Sequence, residues 1–138
     1  MMKAANPINL TQIDHVVLRV VDLEKMVRFY QDVFGCNLER GPCDLGLAQL
    51  RAGLSLIDLV DAGGPLGQKT GAAPDHQAPN LDHLCLQVHP WDEAAIVRHL
   101  EQHQVDFDHA APRYGATGVG PSIYLRDPEG NMVELKGL

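Results

Sequence analysis

The segment IDHVVLRV at 13–20 returns as LDHLCLQV at 81–88. An aliphatic residue, Asp, His and an apolar run with a polar residue before a final Val occur twice in the same order. A similar series of patterns follows each copy, so the chain reads as one unit written twice. The period is longer than that of solenoid repeats. With 138 residues, the chain fits one compact domain, or two half-sized modules sharing a core.

Residues 1–12 form a lead-in. The first copy, 13–61, opens with an alternating Val-rich strand. Asp22 then serves as a helix N-cap, with Leu23, Met26, Val27, Tyr30 and Phe34 at helical spacing, and Gly35 follows where a helix stop favours glycine. The spacing predicts a helix over about 23–34, then strands in CNLERGP, LGLAQLRAG and LSLIDLVD. The stretch 62–80, rich in Gly, Pro and Ala, reads as a surface linker. The second copy, 81–138, opens with its DH strand. Pro90 suits the start of a helix whose apolar stripe includes Ala95, Val97 and Leu100. The strand ending VDFDHAAP, a glycine-rich loop RYGATGVGP, the strand SIYLRD, the turn PEGN and the strand MVELKGL complete it. Both units are β-α-β-β-β. The fold class is therefore α+β, with two tandem modules making a curved, cup-like mixed sheet and helices outside.

The net charge is −7 and no basic footprint is visible, which argues against a generic nucleic-acid binder. No window reaches the apolar length of a membrane span, and the first residues lack the apolar stretch of a signal peptide. A cytoplasmic location is the default expectation. Cys36, Cys43 and Cys85 are odd in number and include no C-x-x-C pair, so neither a disulfide framework nor a structural zinc knot is expected. Cys85 is expected to fill a small core or pocket position.

Strand parity assigns the faces. Val16, Leu18 and Val20 share one face of the first strand, as do Leu84, Leu86 and Val88 in the second copy; these pack on the helices. His15 and His83 lie on the other, mixed faces. In the last strands, Asp58 and Glu134 sit between apolar neighbours. A carboxylate buried there without a partner is costly. His15, Asp58, His83 and Glu134 thus form a constellation, and one divalent ion in the cup would satisfy both carboxylates. Imidazole and carboxylate suit zinc, nickel, manganese or iron(II).

The segments IDHVVLRVVDLEKMVRFYQDVFG, LDHLCLQV and IYLRDPEGNMVELKG resemble the glyoxalase, bleomycin-resistance and extradiol-dioxygenase group, the vicinal oxygen chelate superfamily. The resemblance covers about residues 12–137, and the D-P-E-G-N turn is its most specific piece. It implies paired modules around a metal ion, usually in a homodimer, with ligands His15, Asp58, His83 and Glu134. Many members carry Glu, Gln or His where Asp58 stands, and Asp is a methylene shorter. His15, His83 and Glu134 alone still make a two-His-one-carboxylate set. Glyoxalase I members isomerise a hemithioacetal of glutathione; other members epimerise, cleave catechols, open fosfomycin or only bind a drug. The fold does not choose among them.

The expected chemistry is lactoylglutathione-lyase-like: metal-assisted proton transfer on a small vicinal-oxygen substrate, with Glu134 as base and Tyr124 positioning or protonating an oxygen. Gln49, Arg113, Ser122 and Tyr124 are candidate substrate contacts. The loop 112–121, with Arg113 and Tyr114, reads as a lid or substrate-contact segment. Lys136 shares the parity of Glu134 but is expected in solvent near the C-terminus. Arg19, Arg51 and Arg113 are the candidates for glutathione recognition, and Arg126 for bracing the turn. His76, His89, His99, His103 and His109 are expected at the surface. The rival readings are an extradiol-type dioxygenase, which would consume oxygen with catechols, and a metal-free drug-binding protein, which typically lacks the His/Glu set.

Overall fold

The computed structural model describes residues 6–74, 77, 79 and 81–138; the expectation for His76 lies outside these. The first unit runs β1 (His15–Val20), α1 (Leu23–Asp32), β2 (Asn37–Arg40), β3 (Leu47–Ala52) and β4 (Ser55–Asp61). The second runs β5 (Leu84–Val88), α2 (Glu93–Gln102), β6 (Phe107–Gly115), β7 (Gly118–Arg126) and β8 (Met132–Gly137). A short 3-10 turn, Gly67–Thr70, interrupts the linker between them.

Each unit makes its own four-stranded sheet, ordered β1-β4-β3-β2 and β5-β8-β7-β6. The first and last strands of each unit run parallel; the other pairs are antiparallel. A parallel pair needs a long crossover, which α1 and the following strands supply. The repeated order makes β1 and β5 edge strands of separate hydrogen-bonded sheets.

The helices begin where the sequence caps them. Asp22 accepts from the Lys25 amide at 3.1 Å, and Asp92 accepts from the Ala95 amide at 3.1 Å. The second helix therefore starts at Glu93 rather than at Pro90, because the side-chain acceptor that satisfies its first free amides is Asp92. Its stripe is Ile96, Val97 and Leu100, with Ala95 half-buried.

The larger correction concerns 112–121. This stretch is mostly paired strand: Pro112 faces Pro121, Arg113 faces Gly120, and Gly115 faces Gly118 across a two-residue turn. The φ of +95° at Gly118 suits a tight hairpin connection.

The two units share their interior. Val20, Met26, Val27, Tyr30, Leu50, Ile57 and Leu59 form one buried cluster, against which Leu84 and Leu86 of the second unit pack. Leu100, Ile123, Leu125, Val133 and Leu135 form another, which Val33 joins and Phe29 and Phe34 of the α1 region pack against. Polar ties cross the same boundary. The Tyr30 hydroxyl donates to Asp127 Oδ2 at 2.9 Å, both residues being buried. Glu129 accepts from the Val21 and Asp22 amides at 2.7–2.9 Å, at the start of α1. The D-P-E-G-N turn thus grips the first unit's helix, and Arg126 braces the turn through the Gly130 carbonyl at 2.8 Å. Among the described residues no helix is long and apolar enough to cross a membrane.

Candidate functional site: two half-sites on the open sheet faces

The strand register gives each sheet a helix-packed face and an open face. On the first sheet, Val17 pairs with Asp58 and Asp58 with Gln49, which puts His15, Asp58 and Gln49 on the open face. On the second, Cys85 pairs with Glu134 and Glu134 with Tyr124, so His83, Cys85, Glu134, Tyr124 and Ser122 share the corresponding face. The parity assignments for His15, His83, Asp58 and Glu134 hold, and Gln49 joins them.

Each histidine is held by the aspartate that precedes it. His15 Nδ1 lies 2.6 Å from Asp14 Oδ1, and His83 Nδ1 lies 2.7 Å from Asp82 Oδ2. A carboxylate only accepts, so each Nδ1 carries the proton and Nε2 is the nitrogen left for other work. This is the usual second partner of a metal-binding imidazole. The repeated D-H dipeptide was its sequence signal. The hydrogen bond to Asp14 is the main influence that raises the His15 pKa; partial desolvation opposes it, and the charges of Asp58 and Asp14 add to it.

The second half-site is dense. Glu134 is 5% exposed. Ser122 Oγ donates to its Oε2 at 2.6 Å, and His83 Nε2 lies 3.2 Å from its Oε1. Burial alone would push the Glu134 carboxyl up, but donors from Ser122 and Tyr124, the charge of His83 and a Cys85 contact outweigh it and hold the pKa below the ordinary value. Tyr124 packs edge-on to His83 with ring centroids 5.8 Å apart, and the Arg113 guanidinium lies 6.0 Å from the Tyr124 centroid. Desolvation and Glu134 raise the Tyr124 pKa, against the opposing pull of Arg113. Cys85 is exposed beside Glu134 rather than filling core, with a thiol pushed up to about 11 by burial of its sulfur environment and by Glu134.

The first half-site is sparer. Asp58 is 4% exposed and accepts from Gln49 Nε2 at 3.1 Å through Oδ2. Its Oδ1 is the one buried side-chain polar atom among the described residues without a hydrogen-bond partner. Leaving such an atom unpaired costs about 1–3 kcal/mol.

The expectation that all four ligands meet within one chain is not met. Among the described residues no three His, Cys, Asp or Glu side chains come close enough to hold one ion. His83 is paired with Glu134 on one sheet, and His15 lies within electrostatic reach of Asp58 on the other. The donor set of the second half-site nevertheless fits a divalent ion. Two donors each about 2.1 Å from one ion lie roughly 3.0–3.4 Å apart for square to tetrahedral angles. The 3.2 Å separation of His83 Nε2 and Glu134 Oε1 falls in that span.

Other expectations need correction. Lys136 is buried, at 2% exposed, not solvated. Arg19 bonds the Gly67 and Gly71 carbonyls of the linker, and Arg51 is ion-paired with Glu39, so of the three arginine candidates Arg113 alone reaches the site cluster. His99 is half-buried, with Nε2 2.8 Å from the Val33 carbonyl, and stacks on His103; His89, His103 and His109 are exposed.

A cleft of about 1020 Å³ runs between the units, lined by Ile13, Val16 and Leu54 on one side and His83, Glu134 and Lys136 on the other. It lies along the free edges of β1 and β5.

Comparison with known proteins agrees with this architecture. Residues 12–135 match the family model of the glyoxalase/bleomycin resistance protein/dioxygenase superfamily. The virulence protein STM3117 of Salmonella typhimurium is 28% identical over 126 residues, 91% of this chain and 83% of the relative. Its crystal structure superposes with a TM-score of 0.74, covering 94% of this chain and 98% of that one. Human mitochondrial methylmalonyl-CoA epimerase is 28% identical over 137 residues, 93% of this chain and 74% of the relative. The structure of a lactoylglutathione lyase from Agrobacterium tumefaciens superposes with a TM-score of 0.66 at 26% identity, covering 96% of both chains. With its duplicated β-α-β-β-β units and a match across nearly its whole length, the chain belongs to the glyoxalase/bleomycin resistance protein/dioxygenase superfamily.

Proposed function

We propose that the protein is a metal-dependent enzyme that moves a proton beside a carbonyl in a small substrate with vicinal oxygens, and that its working site is completed by a second copy of the chain. The observation that carries this reading is the split donor set: one histidine and one buried carboxylate on each sheet, at equivalent strand positions, in a chain that keeps the pairs apart. A twofold dimer that brings β1 of one copy beside β5 of the other would set His15 and Asp58 opposite His83 and Glu134 of the partner. Exposed apolar residues along these edges support such a contact: Ile13 is 70% and Val17 50% exposed. The similarity to an epimerase and a lactoylglutathione lyase favours proton transfer as the chemistry.

His83 and Glu134 of one chain, with His15 and Asp58 of the other, would hold the ion. The bound ion would polarise the substrate carbonyl and acidify the neighbouring C–H. Glu134 is ionised at neutral pH and faces the cleft, so it is the group to accept that proton. Tyr124 keeps its phenol proton at neutral pH and can return one or hold an oxygen. Ser122 fixes the Glu134 carboxylate rather than contacting substrate, since its hydroxyl is already committed to Oε2. Arg113 keeps Tyr124 in place from the hairpin.

One observation favours a binding-only protein: Glu134 already has donors from this chain in Ser122, Tyr124 and Cys85. Metal titration by calorimetry on chelator-treated protein separates the two, since a binder takes up no ion. Subunit mixing tests the shared site. H15A and H83A should each lose metal binding and activity. Mixing and re-annealing equal amounts should restore about a quarter of the sites, because each mixed dimer contains one intact pair. No recovery in a confirmed mixed dimer would refute a site shared between copies.

A further inference from the structure

Lys136 is the buried charge that the proposed chemistry does not use. It lies two residues beyond Glu134 on β8 and shares its face, opposite Gln87 on β5 and Ser122 on β7. The residue is 2% exposed, yet it makes no ion pair among the described residues. Among the described residues its one hydrogen bond goes to the Gly137 carbonyl at 3.3 Å. An ammonium has three donors, and taking it out of water with a single neutral acceptor is costly.

The surroundings are shaped to hold this side chain. A methyl group on Gly115 would lie 2.9 Å from Lys136 Cε, and one on Gly120 would lie 3.2 Å from Nζ. The hairpin carrying both glycines is tied back to the sheet, where Gln87 Nε2 donates to Thr117 Oγ1 at 3.3 Å. Lys136 also lines the cleft that His83 and Glu134 line. Alternate residues along a strand stand about 7 Å apart, a few bonds of a small molecule.

Resting on the reading of this face as the substrate site, we infer that Lys136 recognises an oxyanion of the substrate, a carboxylate or phosphate group carried a few atoms from the carbon that Glu134 deprotonates. The oxyanion supplies the missing countercharge and the acceptors that the ammonium lacks. The substrate class narrows from any vicinal-oxygen molecule to a small anionic one.

The test uses the full chain and three probes: inorganic phosphate, malonate and neutral malonamide, measured by calorimetry and thermal shift, with and without zinc. At least one anion should bind and raise the melting temperature of the wild type, and malonamide should do neither. K136M should weaken anion binding at least about tenfold, as loss of a charged hydrogen bond predicts. Phosphate binding without malonate binding identifies a phosphoryl group; the converse identifies a carboxylate. K136Q gives the same reading should K136M not fold. Anion binding equal in wild type and variant, or no anion binding by the wild type, overturns the inference. Zinc binding on the same samples is read separately. A protein that takes the anion through Lys136 but no metal keeps this inference and loses the metal-dependent function; metal uptake without anion binding does the reverse.

Discussion

Ser122→Ala is the sharpest probe of the second half-site. Ser122 is fully buried, and its 2.6 Å bond is the shortest that Glu134 receives. A hydrogen bond to a charged group contributes about 1.5–3 kcal/mol net. Tyr124, His83 and Cys85 still face the carboxylate, so a loss of about 2 kcal/mol is expected for metal-free protein at pH 7. That moves a urea midpoint down by roughly 1 M. The pH dependence follows from Glu134. Its folded pKa lies below the ordinary 4.5, so its contribution is present above that value and is lost as pH falls through the lowered one. In S122A, desolvation persists while a donor is gone, so the carboxyl titrates higher. The deficit of the variant is therefore full at neutral pH and shrinks below pH 4.5 toward the ~1 kcal/mol of a neutral hydrogen bond. Urea unfolding at neutral and acidic pH measures both. A deficit under ~0.5 kcal/mol at pH 7, or one unchanged in acid, would show that Ser122 does not hold the ionised carboxylate.

Three further outcomes are expected. Tyr30→Phe removes the buried bond to Asp127 but leaves that carboxylate its donors from Glu129 and Asn131; a cost of about 1–2 kcal/mol should lower the thermal midpoint by roughly 3–10 °C in calorimetry. Glu129→Ala frees the Val21 and Asp22 amides at the start of α1; a loss of about 1 kcal/mol in chemical denaturation is expected, and an unchanged midpoint would mean that water replaces the carboxylate without cost. Asp14→Asn removes the largest influence on His15, so the imidazole should titrate at lower pH by NMR; zinc, which competes with protons at His15, should then bind to lower pH.

Local signals made much of this protein legible. The alternation in 13–20 and 81–88 put His15 and His83 opposite the aliphatic faces, and the structure keeps them there. The same parity put Asp58 and Glu134 on those open faces, because side chains on a strand alternate whatever the rest of the fold does. Composition masked the pattern elsewhere. The Gly and Pro residues of 112–121 suggested a loop, yet cross-strand pairing makes it a hairpin. Lys136 had the right parity, but only the glycines across the sheet show that its long side chain has somewhere to go.

The sequence by itself determined the duplicated unit, the element order, the cap of the first helix and the face on which each candidate ligand lies. These depend on neighbours a few residues apart. The tertiary structure decided which candidates meet. Tyr30, Asp127, Glu129 and the apolar side chains of α1 bind the two units through their helix-packed sides. His83 with Glu134 and His15 with Asp58 are therefore left on separate open faces, the first two 3.2 Å apart, and the four are not gathered into one set. A repeat fixes how each half folds; the way the halves pack rests on contacts 97 and 108 residues apart, which no local period encodes.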